Sequence, residues 1–275
     1  MMEMMLNSAA RQVCGDHFIS GRPVEDIIER SVIGDREEFS EPVVASEHYP
    51  FDKEKFFEAL ENIEVNQTGK WVSVSAGPYV GTARYYGDQG CVIIAPMTDH
   101  AFFDPKPVPR PSKEDNLFPD QDILASGKAL PSSYDRATLE AAAARALHPE
   151  RHGTAIMVVH KGEVVLERYA DHLGITKDTP TQNWSMGKSI LAALIGRLEA
   201  LGELSLNDPA PIPAWSVDEG DPRQDIKIID LMQMTGGLSC TRSEDPWFIR
   251  GPSNFHADHH IIYGAPVDVI QLAIS

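Results

Sequence analysis

The chain is short of positive charge: 24 Lys and Arg stand against 41 Asp and Glu, a formal net charge of -17 over 275 residues. Such a surface repels phosphate backbones and anionic lipids, which argues against non-specific nucleic-acid binding and electrostatic membrane attachment. Cysteine is scarce as well. Cys14, Cys91 and Cys240 are too few and too scattered for a disulfide scaffold or a zinc knuckle. One bridged pair with a free third thiol fits them as well as three free thiols do. No apolar run is long enough to span a bilayer, and residues 1–7 lack the basic start of an export signal. Read literally the chain is cytoplasmic, although a start placed inside a longer gene would leave the same record.

What is present is globular. Hydrophobic residues make up 42% of the chain, enough for a core in one large domain or two small ones. Short helices are expected over residues 24–33, after the Gly21-Arg22-Pro23 turn, and over 51–60, where Phe56, Phe57 and Leu60 sit among charges. Residues 71–75 alternate as a strand and stop at Gly77-Pro78. Residues 82–86 and 91–95, joined by Gly87-Asp88-Gln89-Gly90, read as a hairpin-like pair. The first hundred or so residues thus form a small mixed α/β unit. Pro105, Pro107, Pro109 and Pro111 then make a stiff extended tether, because proline fixes φ and removes donors.

The second half begins with an Ala-rich helix over 133–147, capped by Ser133 or Asp135 and followed by Pro149. Two apolar strands, 154–160 and 163–169, flank Lys161-Gly162, and their continuous runs imply helix cover on at least one face. After a turn at 204–209 and a long loop, residues 226–235 make an amphipathic helix closed by Gly236-Gly237. Residues 239–260 are loop-like. An apolar helix then starts at 267 and is unfinished at Ser275, so the chain reads as a fragment.

The chemistry concentrates in Asn183-Trp184-Ser185-Met186-Gly187-Lys188-Ser189. Leu191, Leu194, Ile195, Leu198 and Leu201 recur at three- and four-residue spacing, so a buried helix should run from this point to Gly202. Ser185 then opens the helix, with Lys188 one turn on and on the same side. A serine hydroxyl needs a neighbouring base. A lysine supplies one where burial and the helix dipole disfavour its charged form. Free N–H groups of the first turn would face the oxyanion. Ser-x-x-Lys arises about once by chance in a chain this long, so the motif alone is weak. Gly187-Lys188-Ser189 also imitates the end of a phosphate-binding loop, but position 182 is Gln where that loop needs Gly.

Order along the chain strengthens the serine reading. A hairpin with a Lys-Gly turn precedes Trp-Ser-Met-Gly-Lys-Ser; an apolar helix and Gly202-Glu203-Leu204-Ser205-Leu206-Asn207-Asp208-Pro209 follow; a later helix ends in Thr235-Gly236-Gly237-Leu238. This series resembles the serine β-lactamase and penicillin-binding-protein superfamily, in its class C-like branch of related hydrolases and esterases. Tyr85-Tyr86-Gly87-Asp88-Gln89-Gly90-Cys91 is similar to a segment upstream of the hydrolase domain in an exported group of that branch. The resemblance covers roughly residues 80–275. It implies an α/β (α+β) fold, an antiparallel sheet flanked by helices. That fold is incomplete at the C-terminus and carries an N-terminal extension over 1–130 before a hydrolase domain over 131–275. It also implies Ser185 as acylated nucleophile, Lys188 as base or proton relay, a small-molecule ester, amide or β-lactam substrate, and no cofactor or metal.

The departures are specific. No tyrosine stands in the family's Tyr-x-Asn or Tyr-x-Ser setting, no Lys-Thr-Gly follows, and Tyr263 is the only tyrosine after Ser185, in a Tyr-Gly-Ala context. A non-catalytic remnant or binding protein of the same fold is therefore the main rival. A zinc hydrolase using His256-Ala257-Asp258-His259-His260 is a weaker one, since the run does not reproduce the His-x-His-x-Asp-His of zinc lactamases. Arg84, Asp88 and Trp184 suit structural roles at least as well as substrate contacts, with Asp88 a turn residue and Trp184 a core anchor. The sequence leaves the oligomeric state open.

Overall fold

The computed structural model describes residues 2–32, 52–94, 135–160 and 163–238, together with positions 264, 266 and 274. The best-packed part is built on a helix that the sequence reading missed, α1 (Met2–Phe18). Leu6, Ala9, Ala10, Val13 and Cys14 fall at three- and four-residue spacing along it, and all are buried. They lie on an antiparallel sheet of β1 (Glu64–Asn66), β2 (Trp71–Ala76), β3 (Tyr79–Tyr85) and β4 (Cys91–Ile93), in that spatial order. β2 alternates as anticipated, with Val72, Val74 and Ala76 facing the helix. β1 is an addition to the expected set.

Two local features let helix and sheet close. Gly77, at φ +60°, starts the two-residue turn pairing Ala76 with Tyr79, a geometry that suits the twist of the strands. Gly81 brings β3 against the helix backbone: a Cβ there would stand 2.2 Å from the Leu6 carbonyl carbon. Asn7, almost fully buried, satisfies both ends of its amide. Its Oδ1 accepts from Thr82 N at 3.2 Å, and its Nδ2 donates to Gly264 O at 3.0 Å. Cys14 and Cys91 form a disulfide across a Cα separation of 6.0 Å, tying α1 to β4. Of the two readings of the cysteines, the bridged pair is the one observed; Cys240 lies outside the described residues.

The helix expected over 24–33 is α2 (Val24–Ile27), which passes into a π turn, Ile28–Val32. α3 (Lys53–Leu60) starts at Asp52, whose side chain accepts from Lys55 N, and buries Phe56 and Leu60. Arg22, itself buried, pairs with Asp16 at 2.8 Å and Asp26 at 2.6 Å, closing the corner between α1 and α2. The proline tether, Ser133, the Lys161-Gly162 turn, the loop over 239–260 and most of the last expected helix lie outside the described residues.

The second half follows its expected order. α4 (Arg136–Ala146) is capped by Asp135, which accepts from Ala137 N and Thr138 N. The Thr138 hydroxyl and these amides hold the Asp135 carboxyl below its ordinary value. β5 (Ala155–His160) and β6 (Glu163–Tyr169) pair antiparallel with an irregularity at Val158 and Val159. Among the described residues only one face is partly covered: Leu166 is buried, whereas Met157 and Val159 are exposed. α5 (Met186–Ala200) ends before Gly202, at φ +74°, and α6 (Ile228–Met232) is shorter than expected. Trp215, in the short 3-10 turn Pro213–Ser216, is buried within a stretch expected to be plain loop. Its indole donates to Ile274 O at 3.2 Å. The described residues thus make a mixed α/β protein with two antiparallel sheets.

Candidate functional site

Ser185 occupies the N-cap of α5, and its neighbour Trp184 has φ +44°. A non-glycine residue with positive φ is uncommon, and it turns the chain sharply just before the helix. Met186, Gly187 and Lys188 then donate to the carbonyls of Asn183, Trp184 and Ser185 at 3.0, 3.1 and 3.0 Å. The first turn is therefore tightened by bonds three residues back. This corrects one expectation: those three N–H groups are already engaged rather than aimed at an oxyanion.

The central pairing is as anticipated. Lys188 Nζ donates to Ser185 Oγ at 3.0 Å, the consequence of three-residue spacing on one helix face. Both side chains are exposed. The burial expected of the helix is not observed. Ile190 is 57% exposed and Leu194 59%, Leu191, Leu198 and Leu201 are also in solvent, and no described helix or strand packs broadly on α5. An apolar stripe marks a face that packing can use, but periodicity does not supply the partner. Trp184 is likewise no core anchor, at 56% exposure.

A polar cavity of about 280 Å3 opens beside this loop, where Asp16, Ser20 and Arg22 from the N-terminal unit face Thr154, Gln182 and Trp184. A second, of about 460 Å3, lies between α4 and β6, lined by Glu140, Ala143, His148, Arg168, Tyr169 and His172. Arg168 pairs there with Glu140, and Tyr169 donates to Glu167. Burial, with the Glu167 contact second, pushes the Tyr169 hydroxyl up to about 12. A phenol held protonated in this way is a donor rather than a base at neutral pH.

The other candidates fall elsewhere. Asp88 sits in the 3-10 turn Gly87–Gln89, the turn role anticipated for it, and Arg84 lies on β3 opposite Trp71. Neither lines the cavity beside Trp184. His256, His259, His260 and Tyr263 lie outside the described residues, among which no cluster of His, Cys, Asp or Glu could hold a metal ion. No helix among the described residues is long and apolar enough to cross a membrane.

Comparison with known proteins bears on the second half of the chain. Residues 138–252, a stretch that holds β5, β6, Ser185 and Lys188, match the Beta-lactamase family model, which covers less than half of the chain. No curated protein and no solved structure matches the chain.

Proposed function

We propose that the protein is a serine hydrolase of the beta-lactamase-related type, cleaving an ester, amide or β-lactam through an acyl-serine intermediate. The observation that carries this reading is the 3.0 Å contact between Lys188 Nζ and Ser185 Oγ at the start of α5. At that separation a neutral Lys188 amine takes the hydroxyl proton as Oγ attacks the acyl carbon. The leaving group departs with a proton, and water then releases the acid and restores Ser185. In this proposal β5 and β6 belong to the hydrolase sheet, and the chain divides near residue 130 into an N-terminal extension and the hydrolase part.

The test is a fluorophosphonate probe read by intact mass. One adduct is expected on the parent chain and none on Ser185→Ala, whose unfolding midpoint should stay unchanged because residue 185 is exposed. Labelling that persists in Ser185→Ala would assign the reactivity to another residue. The exposure of Ser185, Lys188 and the apolar face of α5 favours a second reading, a non-catalytic binding protein of the same family. An unlabelled but folded parent chain would select it.

A further inference from the structure

The end of α1 is joined to the segment that leads into Ser185. Ser20 Oγ donates to Pro180 O at 2.6 Å, and Gln182 Nε2 donates to Asp16 Oδ1 at 3.2 Å. Gly15 leaves the room this needs, since a Cβ there would stand 2.7 Å from Gln182 Nε2. The anchor itself is rigid. Asp16 is 4% exposed, and its second oxygen accepts from Arg22 Nη1 at 2.8 Å and Gln12 Nε2 at 3.0 Å. Arg22 is held in turn by Asp26 and by Ser31 Oγ at 2.9 Å. On the loop side, the positive φ of Trp184 falls two residues after Gln182 and one before Ser185. A backbone conformation of that kind persists where the surroundings over-determine it.

We propose that Ser20 and Gln182 are positioning residues for the acyl-transfer site, mooring residues 180–184 to the N-terminal unit so that the first turn of α5, which carries Ser185 and Lys188, stays formed. The inference rests on Ser185 being the nucleophile. It makes the N-terminal unit part of the site's support, because α5 has little described packing of its own to hold its first turn in place. Misplacement of a reacting group by a fraction of an ångström to an ångström costs one to two orders of magnitude in rate.

The experiment compares the full chain with Gln182→Ala, Ser20→Ala and Ser20→Thr. Fluorophosphonate labelling is followed over a range of probe concentrations, alongside amide hydrogen exchange at Met186, Gly187 and Lys188. The maximal labelling rate should fall about tenfold in both alanine variants, with an unchanged half-saturating concentration. Exchange at the three amides should quicken while α1 stays protected. Ser20→Thr keeps the hydroxyl and should retain the parent rate. Equal rates and equal exchange in parent and alanine variants would overturn the mooring while leaving Ser185 as nucleophile. A parent that is not labelled at all would remove the nucleophile reading. The mooring is then judged by exchange alone, and unchanged protection would end it too.

Discussion

α1 and α5 are both apolar-striped helices of similar length, and they have opposite fates. On α1 the stripe of Leu6, Ala9, Ala10, Val13 and Cys14 is sealed against β2 and β3, pinned by a disulfide and by Asn7, bonded at both ends of its amide. On α5 the larger and more apolar stripe of Ile190, Leu191, Leu194 and Leu198 faces solvent. Small residues on α1 let helix and sheet backbones approach closely, and Gly81 completes the fit. The difference is therefore one of shape-matched partners rather than of hydrophobicity. Stability resides where the chain is closed on itself, and the candidate chemistry sits on an element with little described packing. Loosely held segments commonly carry function on a rigid scaffold.

The contrast can be broken from the stable side first. Replacing Cys14 and Cys91 together by Ser releases a loop with a sequence separation of 77 residues. It should cost about 4.5 kcal/mol in denaturant unfolding by the loop-entropy model. Gly81→Ala drives a methyl into the backbone of α1 and should cost about 3 kcal/mol, read in the same way. On the other side of the comparison, Leu194→Ser should change the unfolding free energy by less than about 0.5 kcal/mol, because the side chain is already in solvent. A loss of about 2 kcal/mol or more there would mean that α5 is covered in solution, and the contrast would fail.

Local elements were legible to the extent that their causes are local. β5 and β6 lie within a residue of the expected strands, and α4 begins at Asp135, one of the two caps proposed for it. Lys188 reaches Ser185 because a spacing of three fixes their relation on any α-helix. α1 escaped notice because its buried stripe is mostly Ala, Val and Cys, which barely raises the hydrophobicity of a segment also carrying Asn7, Arg11 and Gln12. The i, i+3, i+4 recurrence from Leu6 to Cys14 was the signal available. At the site, the beginning of α5 was readable. Its exposure and the engaged N–H groups of its first turn were not, since the one depends on distant partners and the other on the backbone turn at Trp184.

By itself the sequence determined the limits of β5 and β6, the cap of α4 and the start of α5, the one-turn separation of Ser185 from Lys188, and the order of motifs that resembles the beta-lactamase family. Those properties follow from backbone preferences, caps and periodicity acting over a few residues. Only the tertiary structure decided which two of three cysteines meet, which apolar stripe is buried, and that Asp16 and Ser20 reach across to Gln182 and Pro180. Burial and long-range pairing depend on groups brought together from far along the chain, and no local pattern encodes that geometry.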